Sequence, residues 1–392
     1  MRTTKLLFFK FAAVLKLLYF ILFEMKKIKK AKTVFFFPFY HTGGAEKVHL
    51  NIVKATNNNN NCVFFTQESN SNNYKKQFFL NSKCFEVYDL LHRNYLIRNL
   101  FIKKLANELN KSKELISVFG SNAFFFYELL PLLNDSVKKI DLIHAFSKPD
   151  YGIEIASLPY VKYLDRRVVI NEKTLLDFKG LYHQKKLDSF FSKILKIENG
   201  IDIKDIVLNK SNKSKFRVLF VGRWSKEKRP NLFLQIAKRI ASTHSDIEFI
   251  MVGSQMELHK KNILNAGVLF KGEIKNENEL NNIYKTANLL LITSYREGFP
   301  VVVMEAMANG VVPIVTNVGG LKEHITNEVN GILIEDKKNE IALIEKFSDI
   351  ISKLYNDTME LEKLSENAFT YAHSHFDIET FKTKYKNLLL KN

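Results

Sequence analysis

Ser294-Tyr295-Arg296-Glu297-Gly298-Phe299-Pro300-Val301-Val302-Val303-Met304-Glu305-Ala306-Met307-Ala308-Asn309-Gly310 is the segment from which the architecture of this chain is read. The apolar run before it, Asn288 to Ile292, is predicted to be a strand, and Val301 to Asn309 a helix. An acid, a glycine and a proline fill the turn between them. Proline suits a helix entry because its missing N–H would be unpaired there anyway. The free N–H groups of that first turn look toward the carboxyl ends of the strands, where an open α/β sheet binds ligands. Glu305 stands in an otherwise apolar helix, so its carboxylate must be exposed or held by partners. From there it could accept two hydrogen bonds from a vicinal diol such as ribose. An ordinary salt bridge is the alternative.

Working outward, Val312 to Thr316 is predicted to be a strand running into Gly319-Gly320. Paired glycines leave backbone amides with nothing in front of them, which suits a diphosphate, although such a pair is more often only a turn. Upstream, Gly222-Arg223-Trp224-Ser225-Lys226-Glu227-Lys228-Arg229-Pro230 follows a strand from Phe216 to Val221. A guanidinium at Arg223 and an ammonium at Lys228 could grip a pyrophosphate and stabilise the charge that grows as it leaves. Solvated surface bases are the alternative. The helix Asn231 to Ala241, the strands Ile247 to Val252 and Val268 to Phe270, and the helix Glu277 to Thr286 complete this half. From Asn339 to Leu390 the pattern reads as helices only.

The first half shows the same alternation. Strands are expected at Thr33 to Phe37, Cys62 to Thr66, Phe85 to Tyr88, Leu115 to Phe119, Ile140 to Phe146, Arg167 to Ile170 and Ile194 to Ile197. Helices are expected at Ala45 to Ala55, Asn94 to Leu109 and Ala123 to Leu133, and a polar turn at Asn57 to Asn61. Asn199 to Lys215, rich in Asn, Ser and Lys, reads as a linker after which the series restarts. A chain of 392 residues is too long for one ordinary core. Two doubly wound α/β domains are therefore expected: residues 32–205 and 206–370, preceded by an arm at 1–31 and followed by a helix at 371–392 that crosses back. The loop His41-Thr42-Gly43-Gly44-Ala45-Glu46 is not the dinucleotide fingerprint, but its glycines allow a ligand near the helix terminus. His144 closes a strand, either as a hydrogen-bonding or acid–base group or as a packed strand end.

The formal charge is +18, and residues 1–32 carry nine bases (Arg2, Lys5, Lys10, Lys16, Lys26, Lys27, Lys29, Lys30, Lys32) against Glu24 alone. Such a balance seeks anionic surfaces. The run Leu6 to Phe23 is apolar but interrupted by Lys10 and Lys16, slightly short for a membrane span and without a small-residue cleavage site. An interfacial helix on anionic lipid fits it best; a true span or an extension outside the fold are the alternatives. No aromatic-studded basic groove, zinc pattern or recognition helix points to nucleic acid. Cys62 and Cys84 lie in apolar or semi-apolar runs and read as buried free thiols of a reducing compartment.

Together these segments resemble the retaining glycosyltransferases of GT-B fold called group 1, or family 4, in the glycogen synthase-like superfamily. The likeness is carried by Gly43-Gly44-Ala45-Glu46, Asn199-Gly200-Ile201-Asp202, Gly222-Arg223 with Lys228, Gly267 to Gly272, and Glu297 with Glu305, spaced as in the family's E-x7-E motif. The resemblance implies two Rossmann-like domains facing across a cleft, and no required metal or cofactor beyond the donor, a nucleoside diphosphate sugar of UDP or GDP type. It further implies that Glu305 holds the ribose, that Glu297 with Gly298 and Phe299 meets the sugar, and that Arg223 and Lys228 bind the diphosphate. By the same resemblance Gly272 to Ile274 lies near the base, and Gly43 and Gly44 close on the donor. Many members carry a histidine where this chain has Phe146, so that either His144 takes over that role or the transfer relies on backbone and phosphate contacts.

The resemblance implies hexosyl transfer with retention to a glycan or lipid-linked acceptor in cell-surface polysaccharide synthesis, by a cytoplasmic protein peripheral to the inner face of the membrane. An epimerase-like enzyme acting on nucleotide sugars, or a non-catalytic membrane-associated binding protein, are the alternatives.

Overall fold

The computed structural model describes residues 13–56, 60–146, 152–204, 206–208, 215–336 and 338–391. The chain divides into two compact units. Unit 1 runs to Ile170, then takes Leu175–Ile197 and the chain from Phe381 onward; unit 2 holds Asn171–Thr174 and Glu198–Thr380.

Unit 1 is built on a seven-stranded sheet of β1 (Thr33–Phe37), β2 (Cys62–Phe65), β3 (Lys83–Glu86), β4 (Ser117–Ser121), β5 (Lys138–Ile143), β6 (Arg166–Val169) and β7 (Ile194–Lys196). Their order is β3-β2-β1-β4-β5-β6-β7, and every paired neighbour is parallel. Parallel strands covered on both faces need apolar residues at every position, and β1 and β2 are buried throughout. The polar residues in β4 are satisfied: Ser117 Oγ donates to Leu389 O at 2.9 Å and Ser121 Oγ to Leu142 O at 3.1 Å. The strand is Ser117–Ser121, two residues later than the more apolar Leu115 to Phe119 expected, because its backbone pairing with β1 and β5 begins at Ser117. Arg167 and Asp141, both fully buried on neighbouring strands, pair at 2.6 Å, and Tyr127, Tyr182 and Ser157 complete their hydrogen bonds. Both thiols are free, and burial pushes each up to about 12.

The arm belongs to this core from residue 13. Ala13, Leu17, Phe20, Met25 and Ile28 are buried in the cluster that contains Phe64, Phe85 and Phe101. Phe20 packs edge-on against Phe85 and Phe101. A π-helical turn at Phe20–Glu24, in which Met25 N–H reaches back to Phe20 O, returns Met25 to the inward stripe, where an α-helical turn would carry it round. An extension outside the fold is therefore excluded for residues 13–31, whereas Arg2, Lys5, Lys10 and the start of the apolar run lie outside the described residues. Among the described residues no helix is long and apolar enough to cross a membrane. Most of the asparagine turn, 57–59, also lies outside them.

Unit 2 repeats the scheme with β8 (Arg217–Val221), β9 (Glu248–Val252), β10 (Val268–Gly272), β11 (Leu289–Ile292), β12 (Val312–Thr316) and β13 (Ile332–Ile334). Its order is β10-β9-β8-β11-β12-β13, again parallel between neighbours. The strand order reverses between β8 and β11, the switch point at which open sheets of this kind receive ligands. Helices Glu340–Asn356 and Thr358–His375 close the unit. Their starts are capped by Asn339, which accepts from Ala342 N, and Asp357, which accepts from Glu360 N. Helix Ile378–Leu390 begins in unit 2 and continues in unit 1, where Tyr385 packs edge-on to Phe119.

Candidate functional site

The two loops that flank the switch point of unit 2 are laced together. The loop after β8 passes through a single 3-10 turn, Lys226–Lys228, and enters helix Pro230–Ala241 with Pro230 at its start. Arg229 between them adopts a left-handed conformation, φ 47°. That conformation costs about 1–2 kcal/mol for a residue with a Cβ, and it is repaid across the switch point. Arg229 Nε donates to Thr293 O at 2.5 Å, and its guanidinium pairs with Asp336 at 2.8 Å. Thr293 Oγ1 donates to Lys228 O at 2.8 Å, and Tyr295 N–H to Glu227 O at 3.0 Å.

That lacing brings Lys228 onto Glu297. The ammonium lies 2.6 and 2.7 Å from the two carboxylate oxygens, and Ser294 Oγ donates to the same carboxylate at 2.5 Å. Glu297 is almost entirely buried while Lys228 keeps a quarter of its side chain open, 6% against 26%. A buried carboxylate is tolerable only with such partners, and an ammonium has three donors to share. Arg223, in the same loop, is half exposed and touches Glu227 at 3.4 Å.

Behind the turn, helix Val301–Ala308 starts directly after Pro300. Glu305 is half-buried on it and accepts from Tyr284 Oη at 3.1 Å. The Tyr284 hydroxyl is buried, and burial first, then the neighbouring carboxylate, holds it well above its ordinary pKa, so it stays a donor. Phe299 is buried against His324 and Phe376, at 4.3 and 5.4 Å between ring centroids. Gly272 ends β10 with φ 65°, and its carbonyl accepts from Gly253 N at 2.8 Å; Ile274 follows in the loop, partly exposed.

Of the two readings of the paired glycines, the contacts favour the turn. The face of Gly319 (φ 60°) that a Cβ would occupy is taken by the Glu297 carbonyl, 1.9 Å from that position, and Gly320 N–H donates to Gly298 O at 2.7 Å. Asn171 fills the corresponding space at Gly320. These glycines let one loop seat against the Glu297–Gly298 turn, so they shape the site through the backbone of Glu297.

In unit 1, Gly43 and Gly44 lie between β1 and helix Gly44–Ala55. A Cβ on Gly43 would fall 2.1 Å from Glu46 Oε2, so the glycine makes room for that carboxylate, which also stands 3.6 Å from His41 Nε2. His144 leaves the carboxyl end of β5, and its Nε2 lies 3.1 Å from Nε2 of His49, a fully buried histidine on the same helix. Burial lowers both, His49 well below the ordinary imidazole range and His144 to about 4. Phe146 turns away into the core fringe, edge-on to Phe178 at 4.7 Å.

Among the predicted site residues, Lys228 and Glu297 are therefore in direct contact, and Gly298 and Phe299 follow in the same turn. Glu305 is fixed by Tyr284, and Arg223 shares the loop of Lys228. Sequence reasoning missed Ser294, Arg229, Asp336, Tyr284 and His49. Only Arg229 had a local signal, a base directly before the helix-starting Pro230. Among the described residues no group of three or more His, Cys, Asp or Glu side chains is placed to hold a metal ion.

Residues 203–371, nearly all of unit 2, match the family described as glycosyl transferases group 1. The chain is 26% identical over 230 residues to the spore coat protein SA of Bacillus subtilis (strain 168), covering 52% of this chain and 60% of that one. It is 27% identical over 193 residues to a D-inositol 3-phosphate glycosyltransferase of Paenarthrobacter aurescens (strain TC1), covering 45% and 46%. The chain thus spans less than two thirds of the length of these two relatives. Against the O-antigen biosynthesis glycosyltransferase WbnH of Escherichia coli it is 26% identical over 299 residues, 74% of this chain and 79% of that one. The Anabaena Alr3699/HepE structure with UDP and glucose superposes at a TM-score of 0.72 with 17% identity, covering 92% of this chain and all of that one. A glycosyltransferase from Rickettsia africae ESF-5 superposes at 0.67 with 18% identity, covering 92% and 99%. Residues 203–371 are thus similar to the group 1 glycosyl transferases, and along nine-tenths of its length the chain has the GT-B fold of these solved structures.

Proposed function

We propose that this chain transfers a hexosyl group, with retention, from a nucleoside diphosphate sugar to a hydroxyl of a glycan or lipid-linked acceptor. The observation that carries the reading is the Lys228–Glu297 pair at the switch point of unit 2, inside the segment that matches the family. Glu305, held by Tyr284, takes the ribose. Gly272 and Ile274 lie by the base, and the UDP in the HepE structures favours uridine. Lys228 spends two contacts on Glu297 and keeps donor capacity for the diphosphate; Arg223, half exposed, adds a fork of donors. Glu297 with the backbone of Gly298 and Phe299 meets the sugar. His144 and the loop of Gly43 and Gly44 contribute from unit 1.

The C–O bond from the anomeric carbon to the diphosphate breaks while the acceptor oxygen bonds to the same face. The acceptor proton passes to an oxygen of the departing phosphate. Arg223 and Lys228 meet the charge that grows there, the kind of fixed donor that stabilises a transition state without reorganising. A thermal-shift screen against UDP, GDP, ADP and CMP sugars, followed by donor hydrolysis with the best binder, tests this. A shift that survives in a Glu305→Gln, Lys228→Ala double variant would defeat it.

The finer expectation of a peripheral position on an anionic membrane is supported by the outward face of the arm helix. Val14, Leu15, Leu18, Tyr19, Leu22 and Phe23, between 42% and 59% exposed, form one stripe whose continuation is Lys26, Lys27, Lys29 and Lys30. An apolar stripe running into bases fits a lipid–water interface with anionic headgroups. Co-sedimentation with phosphatidylglycerol vesicles, lost in Leu18→Ser, Phe23→Ser, is the expected result; equal recovery without vesicles and with them would refute it.

A further inference from the structure

Two imidazoles that meet Nε2 to Nε2 can share only one hydrogen, and the surroundings of His49 decide which ring supplies it. His49 has no exposed surface, lies flat on Phe37 at 4.2 Å between ring centroids and 6° between planes, and its Nδ1 is buried without a hydrogen-bond partner among the described residues. A neutral ring must place its single N–H on one nitrogen. A buried N–H left without an acceptor is the rarer and costlier arrangement, whereas a bare ring lone pair is tolerated more readily. The hydrogen of His49 therefore sits on Nε2, aimed at His144 Nε2, 3.1 Å away. His144 must then accept on Nε2 and carry its own hydrogen on Nδ1. Protonating His144 on Nε2 would set two N–H groups against each other, so the pair also opposes the imidazolium, in the same direction as the desolvation that lowers both rings.

We infer that His49 is a positioning residue that fixes His144 as a neutral Nδ1–H donor, offered to an oxygen of the bound sugar and unable to serve as the base. This rests on the proposed transfer reaction, in which His144 faces substrate. It also accounts for proton removal by the departing phosphate, because the Nε2 lone pair of His144 is taken by His49 and the bare Nδ1 lone pair of His49 is buried, out of reach of the acceptor.

The test separates the pair from the reaction. Long-range proton–nitrogen spectra of protein labelled in its ten histidines, with His144 assigned by its absence in His144→Phe, report the tautomer directly. Wild type is expected to show His144 with Nδ1 protonated. His49→Val is expected to release it to a mixture, and His49→Gln, whose amide N–H can still donate, to restore it. Turnover should follow: about tenfold lower in His49→Val, the worth of one lost hydrogen bond, with the donor KM within about twofold, and near wild type in His49→Gln. The same substitution should cost nothing further on a His144→Phe background. An Nε2-protonated His144 in wild type, or a tautomer indifferent to His49→Val, would overturn the inference. An expected tautomer with unchanged turnover would overturn the positioning role while leaving the donor site of unit 2 standing. Absence of any nucleotide-sugar turnover in wild type would instead strike the reaction, since the tautomer is read without substrate.

Discussion

Lys228 and Glu297 form a two-point ion pair, 2.6 and 2.7 Å, between loops that leave the adjacent strands β8 and β11. The carboxylate is nearly buried and the ammonium partly open. The pair is thus asymmetric: Glu297 depends on Lys228 for compensation, whereas Lys228 can still reach solvent or a ligand. In the proposed reaction Lys228 would hold the site together before a diphosphate arrives and meet its charge afterward.

Removing the base should therefore damage both fold and reaction. Lys228→Ala leaves a buried carboxylate with Ser294 as its remaining close partner, and turnover is expected to fall on the order of 10²-fold, as for other lost charge-stabilising donors. The melting temperature should fall as well, because an uncompensated buried charge is costly. Lys228→Arg should recover most of the stability but less of the rate, since a planar fork does not replace a point charge. Steady-state kinetics with paired melting curves check this, and normal turnover in Lys228→Ala would remove the residue from the mechanism.

Glu305 is expected to act on binding more than on rate. Its partner Tyr284 donates to Oε2 at 3.1 Å and orients the carboxylate. Glu305→Gln should raise the donor Kd about 10-fold or more, the worth of a charge-assisted hydrogen bond, with kcat changed less. Tyr284→Phe should give a smaller loss in the same direction. Calorimetry with the free nucleotide reads both; unchanged affinity in Glu305→Gln would detach this helix from the ribose.

Gly319 should tolerate no side chain. Its φ of 60° and the Glu297 carbonyl 1.9 Å from the Cβ position both exclude one. Gly319→Ala is expected to cost about 2 kcal/mol or more and to lower turnover by displacing the Glu297–Gly298 turn. Gly180, where a Cβ would meet nothing within 4 Å, is the control: Gly180→Ala should melt at or above the wild-type temperature, its helix Glu172–Gln184 gaining a better helix former.

What could be read ahead of the structure followed from how local the signal was. The strand–turn–helix from Leu289 through Ala308 was legible because a β-to-helix change of period brackets an acid, a glycine and a proline. Strand β13, only Ile332–Ile334, was not, because three residues between polar turns carry no period. The same rule divides the site. Lys228 and Glu297 stood at strand ends where ligands bind, but Arg229 and Asp336 meet from positions far apart in sequence, and only the parallel order of the strands brings them together. His49 carried no signal of its own in the sequence, since its partner His144 arrives from β5. The paired glycines stayed between two readings for a related reason: a bare backbone face shows that something approaches closely, not whether it is a ligand or the neighbouring loop.

The histidine pair also leaves a mark on stability against pH. In the unfolded chain both imidazoles regain an ordinary value near 6.5, whereas in the fold burial holds His49 well below that and His144 at about 4. As pH falls below about 6.5 the unfolded state takes up protons that the folded state refuses, so stability is complete above that value and declines toward pH 4. Carboxylates such as Glu248, held below their ordinary range first by the hydrogen bond from Lys215, add their own loss only further down, as the pH nears the carboxylate range. The interval between pH 7 and 5 therefore isolates the imidazoles. Wild type should lose several degrees of melting temperature across it, and His49→Val, His144→Phe should lose measurably less, starting from a lower or equal value at pH 7. Parallel slopes for the two proteins in that interval would show that these rings titrate alike in the folded and unfolded states, and the buried neutral pair would have to be abandoned.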